Sequence, residues 1–171
     1  MSPPTQKQLL FAADALFLDF DSNTPCSVLI SHFSSDESVV LQHAPARCPH
    51  RSTSLMTGPN AVRSYLDLLA TYWYRSDSQI HERKVVGANR VEVSASVRWT
   101  WRSSGRSWVE DFVCLLDYDE HLKVVGMTVD TKSAPGTCIM RAVDAAEPIL
   151  WTLSDLPEIM ALDFGTEARS L

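Results

Sequence analysis

Apolar positions recur at helical spacing from the start of the chain. Leu9, Ala13, Leu16, Phe17 and Phe20 share one face, and Thr5 followed three residues later by Gln8 makes a capping-box pattern ahead of them. This predicts a first helix, broken by Asp21-Ser22-Asn23. Thr24 as cap and Pro25 as first helical residue then open a short second helix that buries Val28, Leu29 and Phe33. Over 38–43 the period falls to two, with Val39, Leu41 and His43 on one face of a strand and Val40 and Gln42 on the other. A loop rich in Pro, Ser and His follows. Gly58-Pro59 starts a third helix with the stripe Val62, Leu66, Leu69 and Trp73, flanked by Tyr65 and Tyr72 and ended by Arg75-Ser76-Asp77.

From Gln79 the period stays at two. Turns at Gly87-Ala88-Asn89, Ser103-Ser104-Gly105 and Asp119-Glu120-His121 divide the stretch into four strands, 79–86, 90–102, 106–117 and 122–132. Turns this short join antiparallel neighbours. In the second of these strands Val91, Val93, Ala95, Val97, Trp99 and Trp101 project to one side, and Glu92, Ser94, Ser96, Arg98 and Thr100 to the other. Ala134-Pro135-Gly136 then turns the chain, Cys138, Ile139 and Met140 read as buried, and Ser154 caps a last helix carrying Leu156, Ile159, Met160 and Phe164. Helices followed by a run of strands make the chain α+β, and that order favours an interior pocket.

Composition narrows the function classes. At 171 residues, 45% hydrophobic and 21% charged, the chain has the length of one domain and enough apolar side chain for a core. A formal charge of -6, with basic residues scattered, excludes a nucleic-acid groove and an anionic membrane surface as partners. The start Met1-Ser2-Pro3-Pro4 lacks the order of a secretory signal and no apolar run approaches bilayer length, so a cytoplasmic location is expected. Cys26, Cys48, Cys114 and Cys138 form no C-x-x-C and read as reduced, mostly buried thiols. The nearest approach to a metal cluster, His43, Cys48 and His50, falls in a segment with Pro45 and Pro49, and no metal is expected. Phosphate loops, G-x-S-x-G and dinucleotide fingerprints are missing, so any reaction is expected to be cofactor-free.

Three segments carry a resemblance. Val39-Val40-Leu41-Gln42-His43-Ala44-Pro45, Gly58-Pro59-Asn60-Ala61-Val62-Arg63-Ser64-Tyr65-Leu66 and Leu116-Asp117-Tyr118-Asp119-Glu120-His121-Leu122-Lys123-Val124-Val125, in this order, resemble the first strand, third helix and last hairpin of the SnoaL-like branch of the nuclear transport factor 2-like superfamily. The match covers residues 5–131. It implies a cone-shaped, curved antiparallel sheet wrapped on three N-terminal helices over 1–132, with 133–171 a C-terminal extension packed on the same domain. It also implies an isomerase, polyketide cyclase or dehydratase acting on a polyketide or terpenoid. The superfamily includes binding and scaffold proteins too, so fold does not choose the chemistry.

Proton transfer in such a pocket needs ionisable groups facing an apolar cavity, as in ketosteroid isomerase of the same superfamily. His43, on the face of Val39 and Leu41, is the candidate base; a buried histidine bonded to a backbone carbonyl is the other outcome of that pattern. Glu110 and Asp111 are adjacent, so one faces inward, and the apolar set Trp108, Phe112, Cys114 and Leu116 favours Glu110. The resemblance makes Asp130 a proton-shuttling carboxylate, although Asp130 shares its parity with Val124, Gly126 and Thr128 rather than with Val125, Met127 and Val129, so it points outward unless a bulge shifts the register. Tyr65, Tyr72, Trp73, Trp99, Trp101 and Phe112 are the candidate walls for a flat ligand, and plain core is their alternative. The expected partner is a small molecule, with a homodimer through the polar face of Glu92, Ser94, Ser96, Arg98 and Thr100 as the rival use of the fold.

Overall fold

The computed structural model describes residues 3–48, 50 and 54–144. Helix α1 (Gln6–Asp21) begins at the predicted capping box: Thr5 accepts from the Gln8 backbone, and the Gln8 side chain accepts from the Thr5 backbone at 2.9 Å. Leu9, Ala13 and Leu16 bury its inner face. Helix α2 (Cys26–Ile30) has Pro25 as its N-cap rather than its first residue, while the Thr24 hydroxyl donates to the Asp19 carbonyl at 2.9 Å. Leu29 and Phe33, four apart, point inward; Val28, one step round so short a helix, is 38% exposed rather than buried.

Strands β1 (Val40–Pro45) and β2 (Leu55–Thr57) precede helix α3 (Ala61–Tyr72), and β3 (Trp73–Val85), β4 (Arg90–Trp101), β5 (Ser107–Tyr118) and β6 (Val124–Thr131) follow. They form one six-stranded sheet in the order β2-β1-β6-β5-β4-β3. The expectation of an antiparallel sheet needs correcting at one place, since β1 runs parallel to β6, with His43 in register with Val129. A parallel pair needs a long crossover, and the chain between β1 and β6 contains α3 and four strands. Three-residue β2, on the edge beyond β1, lies inside the segment expected to be loop.

The third helix also ends earlier than its apolar stripe suggests. Trp73 is already extended (φ -133, ψ 152) and pairs with Trp101, the two indoles having centroids 4.9 Å apart. Arg75-Ser76-Asp77, read as a helix stop, is instead the approach to an irregularity in β3: the register shifts between Ser76 and Gln79, and Asp77 has φ 50. The β5–β6 turn falls where expected, with Asp119 Oδ1 accepting from the backbone of His121 and Lys123, both at 2.8 Å, and Leu122 left-handed at φ 59.

Helices α1, α2 and α3 and the concave face of β4–β5–β6–β1 share one core. Residues after β6 close it at one end: Cys138 and Ile139 are buried, Met140 is partly buried, and the Trp108 indole donates to the Thr137 carbonyl at 2.8 Å. Among the described residues, no helix is long and apolar enough to cross a membrane. The helix expected after Ser154 lies outside the described residues.

Candidate active site

Strand parity places the ionisable groups. On β5, Trp108, Glu110, Phe112, Cys114 and Leu116 share the inner face, and Glu110 has no exposure, while Asp111 is exposed. On β1, Leu41 and His43 face the same interior as Val39 just before the strand, His43 at 2% exposure. Helix α3 contributes Tyr65, 4% exposed, one turn from Leu69. The three polar side chains meet in a line. His43 Nδ1 lies 2.9 Å from Tyr65 Oη, and His43 Nε2 lies 2.9 Å from Glu110 Oε1.

Glu110 is held on both oxygens. The Trp99 indole donates to Oε2 at 2.8 Å and the Thr131 hydroxyl donates to Oε1 at 2.6 Å, so the carboxylate accepts from β4, β6 and β1 at once. Burial alone draws the His43 imidazole down, but Tyr65, Cys138 and Glu110 around it outweigh that and hold it well above the usual histidine value. Burial pushes the Tyr65 phenol up, with His43 pulling it back in part. Both shifts favour a charged imidazole beside a neutral phenol. With both ring nitrogens protonated, Nε2–H donates to Glu110 and Nδ1–H to Tyr65 Oη, and the phenol proton is free to point elsewhere.

A cavity opens beside this line. His43, Tyr65 and Trp99 are on its wall, and hydrocarbon supplies most of the rest: Leu16, Phe17 and Phe20 from α1, Leu29 and Phe33, and Phe112, Met127 and Val129 from the sheet. Its empty volume is ≈ 580 Å³ with the open space at its mouth, but the centre of a water molecule can reach only ≈ 50 Å³ of it, room for a few waters.

The predicted residues therefore divide. His43, Tyr65, Trp99 and Phe112 line the cavity, and Glu110 lies behind them, bonded to His43 and Trp99. Trp73 and Trp101 stack on each other, with Trp108 5.8 Å beyond Trp101, and belong to neighbouring core; Tyr72 is 50% exposed at the end of α3. None of these four is on the cavity wall. Asp130 also needs correcting. It lies on the outer face of β6, in register with Val113 and Ala44, while Val129 and Thr131 point inward. The register shift at Asp117/Tyr118 lets Val124 be buried despite sharing the parity of Asp130, but it ends before position 130. Thr131, the next residue, is the polar group of this strand end that reaches Glu110. Two-residue alternation from Met127 could have found Thr131; the apolar run Cys138-Ile139-Met140 marked Cys138 as buried but not as a neighbour of His43. Of the histidine–cysteine trio near the β1 end, His43 and Cys48 are buried and His50 is exposed.

No family model matches the sequence, and no curated protein does either. Solved structures do match in fold. SalBIII, an epoxide hydrolase/cyclase-like enzyme of pyran ring formation in the polyether salinomycin, is 11% identical over 75% of this chain and 94% of its own, with a TM-score of 0.61. RV0760c of Mycobacterium tuberculosis, in complex with estradiol-17beta-hemisuccinate, is 10% identical over 71% and 91%, with a TM-score of 0.58. An NTF2-like protein of unknown function from Burkholderia pseudomallei K96243 is 16% identical over 72% and 89%, also at 0.58. The chain has the nuclear transport factor 2-like fold that its sequence resembles.

Proposed function

We propose that this protein is a cofactor-free isomerase or cyclase that delivers a proton to an oxygen of a mostly apolar, carbonyl-bearing small molecule held between α1, α3 and the sheet. The observation that carries this reading is the line Glu110–His43–Tyr65 ending at an apolar cavity. Both ring nitrogens of His43 are engaged, so the phenol, rather than the imidazole, is the group that meets the ligand. When Tyr65 gives its proton to a carbonyl or ether oxygen, the His43 Nδ1 proton moves onto the Tyr65 oxygen. His43 is left neutral, still donating through Nε2 to Glu110. The proton released as product forms returns along the same path, so nothing is consumed. Glu110 orients the ring and stabilises its charged form, the role a carboxylate behind a catalytic histidine has elsewhere. A ring-forming enzyme and a steroid-ester complex among proteins of the same fold support a substrate of this class.

The second reading is a non-catalytic binder or dimerising scaffold, and the narrowness of the cavity favours it. The polar face of β4 offers it less, because Glu92 pairs with Lys84, Arg98 with Asp77 and Ser96 with His81 within the chain.

The test is isotope exchange next to the carbonyl in a panel of flat ketones in D2O, read by NMR. The expected result is exchange that depends on protein and is lost in Tyr65→Phe and His43→Gln. Ketones that bind, shown by quenching of tryptophan fluorescence, yet do not exchange would establish the binder instead.

A further inference from the structure

The buried end of the proton line contains a third kind of donor that proton transfer does not use. One ligating atom from each of His43, Glu110 and Cys138 lies within 4.8 Å of the other two, and all three residues are buried. These residues come from β1, β5 and the turn after β6, so the cluster is a product of the fold rather than of a local motif. We propose that His43, Glu110 and Cys138 form a three-ligand site for a thiophilic divalent cation of the zinc class, which releases the Nε2 proton of His43 and the thiol proton of Cys138 to solvent as it binds, and that the bound cation silences the proton line by taking the place of that Nε2 proton between His43 and Glu110. The second part rests on the function proposed above; the first does not.

The donor chemistry selects the ion. A nitrogen, an oxygen and a sulfur together suit Zn2+ and similar transition ions, whereas Mg2+ and Ca2+ take all-oxygen shells. The spacing is close to what such an ion needs. Two ligands at about 2.0–2.1 Å in a tetrahedral arrangement stand about 3.3 Å apart. His43 Nε2 and Glu110 Oε1 are 2.9 Å apart, so they need open by only a few tenths of an ångström.

Two of the three ligands are already oriented from behind. Tyr65 Oη is on the far nitrogen of His43, and the Trp99 indole is on the far oxygen of Glu110, which is how outer-shell groups fix a histidine and a carboxylate on a metal. Cys138 is placed by the turn it sits in. Trp108 bonds the Thr137 carbonyl, and the Thr137 hydroxyl donates to the Ala134 carbonyl at 2.7 Å, with Cys138 itself at no exposure. Three protein ligands leave a fourth position for water or an anion.

Cobalt(II) is the probe, because a thiolate ligand gives it a sulfur-to-metal absorption band. The expected result is saturation at one equivalent with that band, retained in Cys48→Ser, lost in Cys138→Ser, and reached with at least ~10-fold weaker affinity in Tyr65→Phe. Wild-type protein supplies an independent measurement: one equivalent of Zn2+ raises the unfolding midpoint and excess Mg2+ does not. Absence of saturable cobalt binding, a sulfur band unchanged in Cys138→Ser, or equal shifts with Mg2+ and Zn2+ overturns the site. Ketone exchange is then measured with chelator and with one equivalent of Zn2+. Exchange that continues unchanged in the loaded protein overturns the silencing and leaves the site standing. Cobalt binding is read without turnover, so its failure is separate from failure of the proton-transfer reading.

Discussion

His43 Nε2 and Glu110 Oε1 stand 2.9 Å apart although 67 positions separate them in sequence, and neither is open to solvent. A buried carboxylate is tolerated only when its oxygens are occupied, and Glu110 meets that condition with donors from three strands. The pair therefore ties β5 to β1 across β6 and at the same time sets the orientation of the imidazole.

Removing the carboxylate should be costly for that reason. Glu110→Ala leaves Trp99 Nε1, Thr131 Oγ1 and His43 without their acceptor and is expected to lower stability by about 3–5 kcal/mol. Glu110→Gln keeps one acceptor oxygen but turns an amide N–H2 toward another donor, for an expected loss of about 1–3 kcal/mol. Urea unfolding measures both. A Glu110→Gln protein as stable as wild type means that the carboxylate is not accepting on both oxygens.

Tyr65→Phe separates chemistry from packing. The ring stays in the core, and the lost hydroxyl removes one partner of His43 Nδ1, at about 1 kcal/mol. If the phenol delivers the proton, exchange should fall by roughly 10²–10⁴-fold while ketone binding changes little. An equal fall in binding and exchange points to a ligand-positioning hydroxyl instead.

How much of this was legible in the sequence depended on the range of each interaction. Alternation along one strand is a local property, so Val91 through Trp99 could be assigned an inner face, and Glu110 could be separated from Asp111 by the residues two places away. Thr5 and Gln8 were legible for the same reason. The parallel pairing of β1 with β6 was not, because turn chemistry constrains only strands that a turn joins. Trp73 fitted the stripe of α3, yet pairing with Trp101 drew it into β3, a tertiary override of a periodic pattern. Asp130 shows the limit of resemblance: the family position suggested a carboxylate, whereas strand parity, read from the same residues, favoured the outer face and left only a bulge to turn it inward.

The capping box offers a test of the helix that walls the cavity. Thr5→Ala removes the acceptor for the Gln8 backbone and the hydroxyl that bonds the Gln8 side chain at 2.8 Å. The expected cost is about 1 kcal/mol, measured as a lower unfolding midpoint. Because the exposed cap is remote in sequence from Phe17 and Phe20, ligand binding should be unchanged. A drop in ketone affinity would mean that the first turn of α1 governs the opening.

Cys114 is expected to weaken the fold in alkali. Burial, with Asp130 adding to it, pushes this thiol from 9.0 up to about 12. The folded state thus favours the neutral thiol, whereas the unfolded chain ionises near its ordinary value. Stability from this group is complete below pH about 9 and declines as pH rises toward about 12, since the unfolded state loses its proton first. Tyr118, raised above its usual range chiefly by burial, acts in the same direction. Unfolding measured between pH 8 and pH 11, values chosen within roughly that window, should show a falling midpoint, and Cys114→Ala should flatten part of the slope even though it loses packing at every pH. Thiol labelling checks the same point by another route: at pH about 8, partly exposed Cys26 should react in the native protein and Cys114 only after unfolding. Rapid native labelling of Cys114 would show that solvent reaches the cavity floor far more freely than its narrow interior allows.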